Sequence, residues 1–246
     1  MAKQKNVAVM VFDGVELVDM SGPVDVFLHA NYFQTELAYH VYTVGATHCA
    51  IRSEGGVVMI APTYSVDDCP EPDVVVVPGR IPSGTTAGPE LTAWLVRMSL
   101  RGKTVLSVCV GLYTLAAAGL LFRRRATTHY KAIADVERAY PDIHLVKNVR
   151  FVEDGQFLTT GGVTSGIDGA LALVARYSGA EVAQEVADVL VYNTTCALPP
   201  GTLLPSAPEY LATSANAPSI PDVTPPVVRN CPSSTKRTFL TRWMSG

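Results

Sequence analysis

Short runs of apolar residues, each followed by a glycine, a proline or an aspartate, punctuate the first two thirds of the chain. The runs at residues 7–12 and 73–79 are almost free of polar positions, which is typical of strands buried on both faces of a sheet. Residues 39–44 and 104–108 predict two further strands. The pattern therefore indicates a sheet that is covered on both sides.

Apolar residues at helical spacing lie between and after these strands. They predict helices at residues 24–32, 90–100, 131–139, 167–177 and 181–192, the first with Pro23 at its first position. Two hairpins are predicted at residues 51–60 and 149–159, the second from the Asp154-Gly155 pair. Alternating strands and helices predict an α/β fold with a parallel sheet, whose ligands bind outside the carboxyl ends of the strands.

The composition and periodicity of the sequence change near residue 194. Residues 194–246 are rich in proline, serine and threonine and show little periodicity, whereas residues 1–193 have the alternating α/β pattern. We therefore predict one α/β domain over residues 1–193. The segment 194–246 is predicted to be an extension that packs on this domain or across a dimer.

Charge and cysteine usage narrow the class of protein. The 246 residues carry 19 basic and 22 acidic side chains, so the net charge of −3 offers no basic field for nucleic acid, and no apolar run is long enough for a membrane span. The five cysteines (49, 69, 109, 196 and 231) are scattered without a C-x-x-C pair, and the histidines show no metal-ligand spacing. We therefore expect a soluble cytoplasmic protein in a reducing compartment, with no disulfide framework, no metal and no cofactor.

Cys109 is the strongest candidate for chemistry. It lies where the strand at 104–108 meets a small-residue helical pattern ending at Gly119, which is the layout of a nucleophile elbow. Backbone N–H groups and the helix dipole at such a turn favour a thiolate, and Gly111 removes a Cβ where the turn is tightest. The alternative is that Cys109 is a small buried hydrophobic residue.

Asp19 is the candidate partner that handles the proton. It follows the first strand by a short loop and lies between Val18 and Met20, so partial burial is expected to raise its pKa. The alternative is a helix-capping role. His129 and Thr164 are kept as candidates for supporting contacts, although the glycine-rich stretch at 161–166 lacks the lysine of a P-loop.

Five linked motifs together resemble the DJ-1/PfpI superfamily, which is related to class I glutamine amidotransferases. They are D-G-V-E-L-V-D-M-S-G-P-V-D-V-F at 13–27, D-V-V-V-V-P-G at 73–79, S-V-C-V-G-L-Y-T-L-A-A-A-G-L-L at 107–121, R-A-T-T-H-Y at 125–130 and G-V-T-S-G-I-D at 162–168. The resemblance runs over residues 5–192 and is strongest to isonitrile hydratase-like proteins and to the amidotransferase-like sensor domains of AraC-type regulators.

The resemblance implies a three-layer, flavodoxin-like α/β/α sandwich that forms a homodimer and acts on a small-molecule substrate. By the same resemblance Cys109 is the nucleophile and Asp19 forms a hydrogen bond with it. Gly79 and the backbone N–H of Val110, next to Gly111, match the oxyanion-hole region. The expected reaction is hydration of an isonitrile through a Cys109 thiolate, with Asp19 as proton donor and acceptor.

Two positions depart from the pattern of these relatives. Val110 stands where isonitrile hydratases have a threonine, so a hydroxyl is missing, and it is not the histidine of the protease-like branch, which argues against a peptidase. Arg80 stands where the family has a second glycine, and it either holds a carboxylate or phosphate of a substrate or faces solvent. A non-catalytic ligand or oxidation sensor and a glyoxalase- or deglycase-like hydrolase therefore remain as alternatives.

Overall fold

The computed structural model describes residues 4–34, 36, 38–80 and 84–193 of the chain. The strands are β1 (Lys5–Met10), β2 (Tyr39–Gly45), β3 (Ile51–Arg52), β4 (Met59–Ile60), β5 (Tyr64–Ser65), β6 (Val74–Val77), β7 (Thr104–Ser107), β8 (Arg125–Ala126), β9 (His144–Leu145), β10 (Phe151–Asp154) and β11 (Phe157–Thr160). The α-helices are α1 (Leu17–Ala30), α2 (Pro89–Leu100), α3 (Leu112–Ala117), α4 (Ile133–Ala139), α5 (Ser165–Ser178) and α6 (Ala180–Val189). The predicted extension at 194–246 lies outside the described residues.

A seven-stranded sheet in the order β10-β11-β7-β6-β1-β2-β5 forms the centre of the fold. Its neighbours pair in parallel except for β10 and β11, which form the predicted antiparallel hairpin around Asp154 and Phe157. The predicted α/β class with a mainly parallel sheet is therefore confirmed. In this topology the carboxyl ends of β1, β6 and β7 lie side by side at one edge, where ligands of such sheets bind.

Buried valines explain why the central strands are covered on both faces. All four residues of β6, Val74–Val77, are fully buried, and successive side chains of a strand point to opposite faces. On one face α1 packs against α5 and α6. Glycines allow these layers to approach closely: a Cβ on Gly22 would lie 2.9 Å from Ile167, and one on Gly169 would lie 2.7 Å from Leu106.

The first helix starts earlier than the sequence pattern predicts. It begins at Leu17, so Pro23 is inside α1 rather than at its first position. The Glu16 side chain accepts a hydrogen bond from the Val18 N–H and caps the helix, while Pro23 removes only one bond of the backbone ladder. Asp19 consequently lies on the first turn of a helix and not in a loop.

Some short elements escape the sequence pattern. The edge strand β5 and the two strands of the parallel pair β8–β9 have two residues each, which is too short for a periodic signal.

The expectation of free thiols fails at Cys49, which is disulfide-bonded, whereas Cys69 and Cys109 are free. No helix in the described part of the chain is both long and apolar enough to cross a membrane.

Candidate active site

Cys109 lies on the turn directly after β7 and has a strained backbone. Its φ of 57° is in the left-handed region, which a residue with a side chain adopts only when its surroundings hold it there. Residues Cys109–Gly111 form a single 3₁₀ turn before α3, and the Gly111 N–H donates to the Val108 carbonyl at 2.8 Å. A Cβ on Gly111 would lie 2.2 Å from the Val77 carbonyl oxygen, so the elbow packs directly on the end of β6. The predicted nucleophile elbow is present.

Asp19 is fully buried beside the elbow. Its Oδ2 accepts a hydrogen bond from the Gly79 N–H at 2.9 Å. Its Oδ1 has no partner with full hydrogen-bond geometry among the described residues, although the Cys109 thiol interacts with this carboxyl. Burial raises the pKa of Asp19 from 3.8 to about 7, against the lowering effect of the Gly79 N–H. The predicted desolvation of Asp19 is therefore confirmed.

Two further carboxyl groups lie near this pair. The side chains of Glu54 and Glu16 interact, and this interaction, followed by burial, raises the pKa of Glu54 to about 7. Each of the two also raises the pKa of Asp19 by its negative charge. Both are held by backbone bonds, from the Glu16 N–H to the Gly79 carbonyl and from the Glu54 N–H to the Val15 carbonyl. The surroundings of Cys109 are consequently electronegative.

The environment of Cys109 Sγ disfavours the thiolate that the elbow was expected to stabilise. Burial raises the pKa of the Cys109 thiol well above its ordinary value, and the negative charge of Asp19 raises it further. The Val110 N–H lowers the pKa, but by less than these two effects raise it. The stabilisation expected from the elbow is thus outweighed, because Cys109 is only 6% exposed and faces a carboxylate. The resting form is a thiol, and the Asp19 carboxyl interacts with it.

A glycine covers the sulfur. A Cβ on Gly162 would lie 2.3 Å from Cys109 Cβ and 2.5 Å from Sγ, and the φ of Gly162 is 59°. The loop is held by the bond from the Gly161 N–H to the Arg150 carbonyl at 2.8 Å and by the Ser165 hydroxyl, which donates to the Gly162 carbonyl at 3.3 Å. Gly162 is not among the predicted site residues, although the Gly161-Gly162 pair is a usable sequence signal. Only glycine fits this close approach.

The T-T-H motif supports the elbow through its second threonine. The buried Thr128 hydroxyl donates to the Cys109 carbonyl at 2.9 Å, and the Thr127 N–H donates to Thr159 Oγ1 at 2.8 Å. His129, the predicted candidate, is half-buried and accepts from the Lys131 N–H at 3.4 Å, which caps the next turn. Burial lowers the pKa of His129. The structure therefore places Thr128, and not His129, in contact with the nucleophile residue.

The two predicted oxyanion-hole donors, the backbone N–H groups of Gly79 and Val110, face different partners. The Gly79 N–H is committed to Asp19, so Gly79 fixes the carboxyl instead of facing a substrate oxygen. A Cβ on Gly79 would lie 2.6 Å from Asp19 Oδ2 and 2.8 Å from Val110 Cγ2, which shows how tightly the three residues pack. The Val110 N–H remains the backbone donor that faces the sulfur.

Arg80 points to a separate cavity. It forms an isolated antiparallel bridge with Val15, and its Nη1 donates to the Thr86 carbonyl at 3.1 Å. It lines a cavity of about 310 Å³ whose walls include neither Cys109 nor Asp19. Arg80 is half-buried, and its predicted role in holding a carboxylate or phosphate of a substrate stays a prediction.

Thr164 lies on the loop that covers Cys109. Its side chain is exposed and makes no capping bond to α5, but its carbonyl accepts from the Tyr192 hydroxyl at 3.3 Å. The single proton of this hydroxyl is shared with Asp168 Oδ2, which lies 3.0 Å away. Asp168 is a fully buried carboxylate that forms an ion pair with Arg150. This network anchors the loop from behind. Tyr192, Asp168 and Arg150 are far apart in the chain, so no spacing pattern predicts this network.

Possible metal ligands do not cluster in the described residues. They contain no group of three or more histidine, cysteine, aspartate or glutamate side chains arranged to hold a metal ion.

The profile of the DJ-1/PfpI family matches residues 5–176 of the chain. The chain belongs to the DJ-1/PfpI family. It is 36% identical to isonitrile hydratase from Pseudomonas putida over 186 residues, which cover 74% of this chain and 76% of that protein. Among solved structures, a ThiJ/PfpI family protein from Pseudomonas syringae matches with a TM-score of 0.68 and 26% identity, covering 78% of this chain and 76% of that one.

Transcriptional regulators also share the fold. The chain is 29% identical to the HTH-type transcriptional regulator CdhR from Pseudomonas aeruginosa over 189 residues, which cover 74% of this chain but only 53% of the regulator. Membership of the family is therefore compatible with both catalysis and regulation.

Proposed function

We propose that this protein is a cysteine-dependent enzyme that hydrates a small, uncharged electrophile, with an isonitrile as the substrate and an N-substituted formamide as the product. One observation carries the proposal: the buried Asp19 carboxyl, with a pKa of about 7, lies against the Cys109 thiol on a strained elbow. A group with this pKa both takes and returns a proton near neutral pH.

The first half of the reaction forms a thioimidate. The Asp19 carboxylate takes the thiol proton while Cys109 Sγ attacks the terminal carbon of the isonitrile, forming the S–C bond. Asp19 then delivers the proton to that carbon, which gives R–N=CH–S–Cys109. The Val110 N–H supports the sulfur while it is negatively charged.

The second half releases the product. Water adds its OH to the thioimidate carbon and its proton to the nitrogen. Collapse of this adduct breaks the C–S bond, and the hydroxyl proton returns through Asp19 to the leaving thiolate. The products are R–NH–CHO and the resting Cys109 thiol, so the net change is the addition of one water molecule to the isonitrile.

The surroundings of the sulfur support an uncharged substrate. Asp19, Glu16 and Glu54 give the site negative charge, which repels anionic electrophiles. Val110 contributes a buried apolar side chain where a hydroxyl is expected, so the attacking water is not positioned by residue 110. The reaction therefore depends on Asp19 more heavily than it would with a hydroxyl at that position.

The assay measures formamide release from an alkyl isonitrile by mass spectrometry with the purified full chain. Cys109→Ala is expected to abolish turnover, and Cys69→Ala, which removes the other free thiol among the described residues, is expected to leave it unchanged. Equal turnover by Cys109→Ala and the unaltered protein would contradict the proposal. Turnover of a dicarbonyl but not of an isonitrile would favour the glyoxalase- or deglycase-like hydrolase.

A ligand sensor is the second candidate, favoured by the missing hydroxyl at Val110 and by the similarity to CdhR. Oxidation sensing is disfavoured, because the thiolate is the reactive form and burial keeps Cys109 protonated. Selective conversion of Cys109 to the sulfinic acid by mild peroxide would reverse this preference.

We also propose that the protein acts as a homodimer, as other family members suggest. Light scattering during size-exclusion chromatography tests it; a monomeric mass at assay concentrations would contradict it.

A further inference from the structure

We propose that the cavity around Arg80 is a second binding site, which takes a small monocarboxylate carrying a short apolar group. It lies at the carboxyl edge of the sheet, between Phe12 after β1, Thr47 after β2 and Leu91 of α2. Its volume of about 310 Å³ is at the lower end of the range for small-molecule sites. The proposal does not depend on the reaction proposed for Cys109.

Arg80 supplies the recognition group. Its Nη1 is held by the Thr86 carbonyl, which fixes the plane of the guanidinium. Its Nε is buried and has no hydrogen-bond partner among the described residues. A carboxylate drawn to this guanidinium would supply the acceptor that the described residues do not give to Nε. The Nε–Nη2 edge of a guanidinium matches the two oxygens of one carboxylate.

The residues that line the cavity indicate the apolar group and the net charge of the ligand. Polar and apolar surface share the lining about equally, and Val11, Ala87 and Leu91 are among its buried apolar residues, so the wall offers a place for a short hydrocarbon group beside the carboxylate. Asp13 is the other charged residue in the wall, and it is exposed. A second negative charge on the ligand has no cation in this wall to pair with and meets Asp13, which favours a monoanion over a phosphate dianion.

The test is calorimetric titration of the full chain with hexanoate and benzoate, with hexanamide and inorganic phosphate as comparison ligands. Reductant is omitted, because Cys49 in the cavity wall is disulfide-bonded. The carboxylates are expected to bind, and the amide and phosphate at least tenfold more weakly. Arg80→Gln is expected to weaken hexanoate binding tenfold or more, the loss of one charge-assisted contact. The exposed Arg97→Gln on α2 is the matched control and is expected to change nothing.

Two more variants separate this site from the nucleophile and from misfolding. Ala50→Phe fills the cavity from an exposed position in its wall and is expected to abolish binding while Arg80 remains. Cys109→Ala is expected to bind hexanoate like the unaltered protein. Undiminished binding in both Arg80→Gln and Ala50→Phe overturns the proposal, as does loss of binding in Cys109→Ala. Equal binding of hexanamide, or tighter binding of phosphate, overturns the ligand class.

Discussion

Asp19→Asn is expected to stabilise the folded protein at neutral and alkaline pH while it removes the proposed reaction. The pKa of Asp19 is about 7 in the folded protein and 3.8 as the reference for the unfolded chain, so the folded state binds the proton more tightly. Between these two values the folded state holds more protons than the unfolded state, and stability therefore falls as the pH rises. The difference corresponds to about 4 kcal/mol of destabilisation, fully developed above pH 7.

Asparagine removes this cost because it never ionises, and its carbonyl can still accept from the Gly79 N–H. Its amide NH₂ group takes the place of Oδ1, which has no full partner, and leaving it unsatisfied costs about 1–2 kcal/mol. The net gain at pH 8 is therefore about 2–3 kcal/mol, and it shrinks toward zero, or changes sign, near pH 4. For a domain of this size such a gain raises Tm by about 4–12 °C.

The measurement is urea denaturation of both proteins at several values of pH from 4 to 8. Asp25→Asn is the matched control, since Asp25 is an exposed aspartate on the same helix, and its effect is expected to be small at every pH. An Asp19→Asn variant that is less stable than the unaltered protein at pH 8 would show that ionised Asp19 does not destabilise the fold. A stability difference between the two proteins that does not change with pH would show the same. The same variant is expected to lose about 10²–10⁴-fold in kcat, the ordinary contribution of a positioned acid–base group.

Four further outcomes are expected. The rate of isonitrile hydration falls about tenfold for each pH unit below about 7, because Asp19 must be deprotonated to accept the thiol proton; a flat profile from pH 5 to 8 would contradict this. Gly162→Ala loses turnover and Cys109 alkylation together, because its Cβ would lie 2.5 Å from Sγ at a positive φ, whereas Gly84→Ala, also at positive φ but with nothing near its Cβ, keeps both. Thr128→Val destabilises the protein by about 1–2 kcal/mol in urea because it leaves the buried Cys109 carbonyl without this donor, and Thr128→Ser restores most of the loss; equal stability of the two variants would count against it. Tyr192→Phe lowers kcat more than it changes the midpoint of unfolding, because it frees the Thr164 carbonyl on the loop over Cys109; an unchanged kcat would show that the loop needs no such anchor.

Much of the fold could be predicted from the sequence because its signals are local. Valine runs such as Val74–Val77 mark strands buried on both faces, and Asp154-Gly155 marks a hairpin. The start of α1 was missed because Pro23 is read as a helix beginning, whereas the cap supplied by Glu16 lies seven residues earlier. Local sequence signals such as proline and glycine indicate the type of an element more reliably than its boundary.

The proximity of Cys109 and Asp19 could be predicted from the sequence, but the electrostatics of the pair could not. Cys109 and Asp19 stand out by position, since each follows a strand that ends at the same sheet edge. The pKa of Cys109 moved in the direction opposite to the expected one, because burial and a facing carboxylate depend on tertiary packing. Thr128 and Gly162 were missed for the same reason: their contacts with Cys109 span 19 and 53 residues of chain and leave no spacing pattern.

The cover that Gly162 places over Cys109 has a practical consequence for chemical probes. With no room for even one methyl group between the loop and Sγ, the site acts as a steric filter on the shape of an electrophile. A linear, rod-like head group such as an isonitrile presents a single terminal carbon, whereas a maleimide must bring a planar ring to the sulfur. Slim alkyl probes are therefore the reagents of choice for labelling this cysteine, and the ratio of their rates to those of bulky probes reports how far the loop opens.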